Sequence, residues 1–207
     1  MRHITSAVRL TLFFIMTLMV AGCGVRVPVV PESARMQTPR AAPTIKWIGK
    51  GRLEVVAPGK RMSGSAIVRG LGDGSVRAAF ISDEGLLLAD VSARDGEYTV
   101  NKSITDMERA LPHLGRLVAH AYGHITESER QWNGGHLLGK HLDTVRWYGG
   151  DPILLRAVTG DGLDLLIEDY RWLGMELVPY EARAEGPFGI TIRLRLQSAT
   201  ASNTAPK

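Results

Sequence analysis

From Ile190 to Gln197 the chain alternates without a break. Ile190, Ile192, Leu194 and Leu196 are apolar, and Thr191, Arg193, Arg195 and Gln197 are polar. A period of two sends all the apolar side chains to one face of an extended strand and all the polar ones to the other. Such a strand belongs to an antiparallel sheet with one covered face and one wet face. Shorter versions of the pattern fill much of the chain. Leu53 and Val55 alternate with Arg52 and Glu54, and a turn at Ala57-Pro58-Gly59-Lys60 leads to a strand at 63–69. Turns at Gly70-Leu71-Gly72-Asp73-Gly74, Asp83-Glu84-Gly85 and Arg94-Asp95-Gly96 separate further strands at 76–82, 86–92 and 97–100. Short alternating runs between Gly, Pro and Asp turns predict an antiparallel meander. Later strands are expected at 142–148, 153–159, 163–170, 177–184 and 188–197.

One segment breaks this period. Met107, Ala110, Leu111, Leu114, Leu117, Val118, Ala121 and Tyr122 keep helical spacing and form a single apolar stripe. Thr105 and Glu108 have the spacing of a capping box. Pro112 inside the pattern should kink the helix or split it in two. About nine or ten one-faced strands and one amphipathic helix bury their apolar faces together if a twisted sheet curls around the helix. The predicted fold is therefore mainly β (α+β): a curved antiparallel half-barrel with a helical lid, able to leave an apolar cavity beneath it.

The chain has one cysteine, Cys23, and its position is informative. Met1-Arg2-His3 and Arg9 precede an apolar run at 10–21 that only Thr11 and Thr17 interrupt. That run is too short to cross a hydrocarbon core of ~30 Å as a helix. Basic start, short apolar run and small residues make a secretory signal peptide. Val20-Ala21-Gly22-Cys23 resembles the bacterial lipobox, in which the thiol is acylated and the chain is cut just before it. Acylation consumes a thiol that would otherwise be a liability in an exported chain. One acyl chain anchors only marginally, so two or three are expected on Cys23. Gly24 rather than Asp after the cysteine favours the outer membrane over the inner one, by resemblance to Gram-negative sorting signals. The expected organisation is a signal peptide at 1–22, an acylated cysteine and Pro-rich tether at 23–45, a half-barrel domain at 46–197 and a disordered tail at 198–207. With Cys23 acylated no disulfide is possible, and the core must hold by burial alone.

The formal charge of +4 includes Arg2 and Arg9 of the signal segment. The remaining basic residues are dispersed, with no run that would mark a nucleic-acid partner. Catalytic patterns are missing. There is no GxSxG, and the glycine-rich 70–74 segment precedes a strand rather than the helix a phosphate loop needs. Ser63-Gly64-Ser65 reads as the start of a strand, and Gly160-Asp161-Gly162 as a hairpin turn. Glu168 and Asp169 read as strand-end charges at the sheet rim. Trp47, Trp132, Trp147 and Trp172 suit core packing or a cavity mouth. His113, His120 and His124 fall on one edge of the helix. His120 and His124 have an i, i+4 zinc-compatible spacing, but Ala121 stands where HExxH needs Glu. Histidines on the rim of a lid are the expectation, with His136 or His141 as the third ligand of a less favoured metal site. No enzyme, metal or cofactor is expected.

The ordered set of a lipobox and tether, Trp47-x-Gly49-x-Gly51-x-Leu53-x-Val55, a meander ending in Gly96, a helical lid, Glu168-Asp169-Tyr170, Pro179 and the 190–196 strand resembles the LolB-like group. These are outer-membrane receptors of the lipoprotein-localisation pathway, and related lipid-carrying lipoproteins of mycobacteria share the fold. The resemblance implies an unclosed barrel whose cavity holds acyl chains, with a periplasmic carrier protein as a partner. Its cavity would be lined by Leu53, Val55, Val68, Phe80, Leu114, Leu117, Val118, Ile192 and Leu194, although a fully packed core would use the same residues. One departure is Glu84, near the place where the receptor's hairpin presents an exposed leucine. The expected function is a periplasm-facing outer-membrane lipoprotein binding lipid or lipoprotein acyl chains. The competing reading is a non-enzymatic accessory lipoprotein that binds a protein partner of an envelope export system.

Overall fold

A computed structural model describes residues 45–125, 129–133, 136–150, 153–174 and 176–202. Cys23, the signal segment and nearly all of the tether lie outside the described residues. Five strands come first: β1 (Lys46–Ala57), β2 (Lys60–Leu71), β3 (Val76–Ser82), β4 (Leu87–Arg94) and β5 (Glu97–Ser103). A 3-10 turn (Thr105–Met107) and the helix α1 (Leu111–Tyr122) follow. The second half holds β6 (Glu129–Asn133), β7 (His136–His141), β8 (Thr144–Gly150), β9 (Ile153–Val158), β10 (Asp164–Leu173), β11 (Glu176–Glu185) and β12 (Thr191–Ala201). A second 3-10 turn (Pro187–Gly189) precedes β12.

All twelve strands form one antiparallel sheet in the order β5-β4-β3-β2-β1-β12-β11-β10-β9-β8-β7-β6. The first and last strands thus meet in the middle, with Leu53 opposite Leu194 and Val55 opposite Ile192. β12 continues to Ala201, which pairs with Trp47. Residues 198–201, expected in the tail, are therefore part of the sheet. The two edges are β5 and β6, and α1 is the connection between them.

That connection shows how far the sheet curls. The helix backbone packs against β3, β4 and β5 and also against β11. Five strand spacings separate β4 from β11 in the sheet order, or about 24 Å if the sheet were flat. A helix about 10 Å across cannot bridge that distance, so the sheet wraps around it. The result is an open half-barrel with its core on the inner face. Alternation does the work: in β12 Ile192, Leu194 and Leu196 are buried, while Arg193, Arg195 and Gln197 are exposed. One hydrophobic cluster, from Trp47 of β1 to Leu196 of β12, contains nearly all of the buried apolar residues. Among the described residues, its members and the partly buried residues packed on it lie between Ile45 and Ala199.

The structure corrects several expectations. The described residues form twelve strands rather than nine or ten, the additional pair being β6 and β7. Pro112 neither kinks nor splits the helix. It lies in the first turn of α1, where the missing N–H would have had no partner in any case. The capping box does not form. Ile104 precedes the 3-10 turn, Ala110 precedes α1, and neither end has a side-chain cap. Glu108 instead donates its backbone N–H to the Thr105 carbonyl at 3.1 Å. Ser63-Gly64-Ser65 lies inside β2 rather than at its start.

Candidate functional site

At one end of the half-barrel the β1–β2 turn, the 3-10 turn before α1 and the β11–β12 turn surround a pocket of about 830 Å³. Ala57, Met62, Ala110 and Ile190 supply apolar walls, and Lys60, Asp106, Glu108 and Arg109 stand at its rim. Lys60 and Asp106 form an ion pair of 2.5 Å across the rim. The volume falls in the range of small-molecule sites, roughly 300–1,000 Å³. Phe188 borders the pocket and is 88% exposed. Its backbone is left-handed (φ 60°), a conformation that a bulky side chain rarely adopts.

His113 of α1 closes the inner side of this pocket. Its residue is buried, and its Nδ1 has no hydrogen-bond partner among the described residues. Burial pulls its pKa below the usual histidine value; Asp161 acts against that shift and Arg116 with it. Gly186 lies so close that a Cβ there would sit 3.2 Å from the imidazole. Behind His113, Arg116 pairs with Asp161, and Thr159 donates to the same carboxylate. These contacts pin the β9–β10 turn to the helix.

Further along α1, His120 is buried, and its pKa falls to about 3. Loss of solvent is the main cause, and the charges of Arg146, His141 and Arg116 add to it. It is therefore a neutral imidazole at pH 7. Arg146 of β8 is also buried, with its guanidinium carbon 5.4 Å from the centre of the Tyr148 ring. Tyr170 of β10 donates its hydroxyl to the Leu154 carbonyl at 3.0 Å, and burial raises its pKa. The interior thus holds buried polar side chains, His120 and Arg146, besides its apolar cluster.

The nine residues expected to line a cavity are all buried and share one cluster. The structure brings Leu53, Val55, Val68, Phe80, Leu114, Leu117, Val118, Ile192 and Leu194 together as packed core. None of them borders the 830 Å³ pocket, which is built from turn residues instead. Sequence reasoning missed those, because no periodicity marks a turn as a pocket wall.

The histidines also differ from expectation. His113 and His120 are buried rather than on a solvated rim. His124 lies beyond the helix, which ends at Tyr122, and extended Gly123 (φ −82°, ψ 150°) breaks the i, i+4 geometry. No group of three or more metal-ligating side chains occurs among the described residues. The side chains of His136 and Trp132 lie outside those described. Asp169 sits inside β10, not at its end. It pairs with Arg171 at 2.7 Å beside a register shift. Trp47 is core, and Trp172 is exposed.

No protein-family model and no curated protein matches the sequence. Solved structures do match the fold. A LolA superfamily protein from Nitrosomonas europaea superposes with a TM-score of 0.52 at 11% identity, over 85% of this chain and 93% of its own. A DUF1329 family protein from Desulfovibrio piger gives 0.50 at 10% identity, over 78% and 87%. The chain thus has a LolA-like fold: one large open antiparallel sheet around one helix.

Proposed function

We propose that the protein is an acyl-chain-binding lipoprotein of the bacterial envelope, anchored through acylated Cys23 in the outer membrane and facing the periplasm. Its role would be that of a LolB-like carrier or receptor. The observation that carries this reading is the 830 Å³ pocket at the open end of the half-barrel, with apolar walls and a charged rim. Apolar walls favour an acyl chain over water by roughly 25 cal/mol per Å² buried. The rim charges suit the polar end of an amphiphile. The helix lies in the connection between the two sheet edges and its first turns border the pocket, so its movement would widen it. The reading involves no catalysis and no cofactor.

Filling the pocket tests this reading. Met62 is half-buried and borders the pocket, so Met62→Trp should reduce uptake of a fluorescent fatty acid about tenfold with little change in Tm. Unchanged uptake in the folded variant would remove the pocket from the account. Leu117 and Ile192 are unsuitable targets, because both are fully buried and polar replacement there would unfold the domain.

A further inference from the structure

The half-barrel has another pocket, of about 530 Å³, at the end away from the first. β2 runs from Lys60, on the 830 Å³ pocket, to Leu71, on this one. The β4–β5 turn and the β7–β8 turn form further walls, through Arg94, Asp95, His141 and Leu142. The two turns touch: a Cβ at Gly96 would sit 2.5 Å from His141 Nε2. Leu71 and Leu142 both border the pocket, and they are 45% and 79% exposed. Leu142 has a left-handed backbone (φ 52°), which is uncommon for a bulky apolar residue. Two large apolar side chains held at one pocket, one of them on a strained turn, mark a surface that something covers.

The chain itself brings a cover to this place. Lys46 lies opposite Leu71 in the pairing of β1 with β2, and Ile45 packs on the core. The residues that precede Ile45 therefore leave the sheet beside the pocket. Upstream lies the apolar run Val25-Arg26-Val27-Pro28-Val29-Val30-Pro31. A flexible chain over 31–45 spans roughly 20 Å, enough to fold back. Being tethered, the run has an effective concentration on the order of millimolar, so weak contacts suffice to seat it. Pro28 and Pro31 lack an N–H, so the run carries fewer donors that an apolar pocket would leave unpaired. The charges also match. The pocket wall sets one cation, Arg94, against two carboxylates, Asp95 and Glu97. Arg26 is the only charged residue over 24–31.

We propose that residues 27–30 of the tether seat in this pocket, over Leu71 and Leu142, with Arg26 toward Glu97. The seating needs no acyl chain. Its consequence does rest on the lipid-anchor reading: with Cys23 in the membrane, residue 27 is only four positions away. Seating it holds this end of the half-barrel at the bilayer and turns the 830 Å³ pocket toward the periplasm. An unseated tether would leave the domain free to turn in any direction.

The test uses the full-length protein, purified from membranes in detergent. Leu142→Cys adds a thiol, and its labelling by a maleimide–polyethylene glycol reagent is timed. The rate should rise about fivefold when Val27→Asp, Val29→Asp and Val30→Asp are combined with it. Leu86→Cys, on the β3–β4 hairpin, should label at the same rate with and without the triple change. Under copper–phenanthroline oxidation, Val29→Cys with Leu142→Cys should form an intramolecular disulfide, and Val29→Cys with Leu86→Cys should not. Equal labelling of position 142 in the two backgrounds, or equal cross-linking to both positions, would overturn the seating. A cross-linked dimer would overturn it in favour of a second copy of the chain. A label on Cys23 would overturn the membrane orientation and the lipid anchor, and leave the seating intact.

Discussion

Gly115 of α1 lies directly against the ring of Tyr98 on the edge strand β5. A Cβ at position 115 would sit 2.2 Å from Tyr98 Cδ2 and 2.5 Å from its Cγ. The whole ring would have to move, not merely its tip. This contact sets how closely the helix approaches one edge of the open sheet. Gly115→Ala gains about 1 kcal/mol of helix propensity but overpacks the contact, typically at a cost of 1–3 kcal/mol. The expected net effect is a destabilisation of about 1 kcal/mol by denaturant unfolding. In a Tyr98→Ala background the same substitution should become stabilising. Additive behaviour of the two changes would remove this contact as the determinant of helix position.

Acid should destabilise the fold in two stages. His120 has a folded pKa of about 3, below the unfolded value near 6.5. The folded state therefore binds fewer protons. The stability linked to this group is fully present above about pH 6.5 and is lost progressively as pH falls toward 3. His113 shifts in the same direction. Tm should fall between about pH 7 and pH 5, and His120→Gln should flatten much of that fall. A wild-type Tm that is constant over this interval would contradict neutral, buried histidines.

A second stage belongs to Asp90. Its carboxylate accepts from Arg77 Nε at 2.9 Å and from Asn101 at 3.1 Å. The hydrogen bond from Arg77 is the main cause that holds its pKa below the usual carboxylate value. That stabilisation is present above about pH 4 and lost as pH falls through the lower folded value. Asp90→Asn should lose less Tm than the parent between about pH 4 and pH 2. Identical acid slopes would exclude Asp90 as a contributor.

The β3–β4 hairpin displays both a charge and apolar side chains. Glu84 is exposed at its turn, and Leu86, 65% exposed, follows. The Ser82 hydroxyl accepts from the N–H groups of Glu84 and Leu86, each at 3.2 Å, and fixes the turn. A carboxylate resists entry into a bilayer. Glu84→Leu should therefore raise co-sedimentation with phosphatidylethanolamine–phosphatidylglycerol vesicles severalfold. Equal sedimentation of variant and parent would detach this hairpin from membrane contact.

The strands were legible because a one-faced sheet writes a period of two into its sequence, and β12 is the clearest case. β6 and β7 were not. Edge pairs are held by backbone hydrogen bonds, and residues 129–141 lack a sustained apolar alternation. The helix was legible as an element but not in its surroundings. An apolar stripe implies one buried face, yet α1 is wrapped by a curled sheet, and only Pro112 and Arg116 of its residues escape burial. This is why His113 and His120 are interior. The capping signal at Thr105 and Glu108 failed for a local reason: Thr105 opens a 3-10 turn, and the α-helix starts at Leu111. The pocket was illegible because turn residues that are distant in sequence make it.

Native mass spectrometry of the chain from residue 24 to 207, purified from the periplasm, tests acyl binding most directly. The account predicts a discrete adduct that organic extraction identifies as an acylated molecule and that added phospholipid or lipopeptide displaces. A clean apo mass, with no uptake of either offered ligand, would contradict it and turn attention to a protein partner of the envelope.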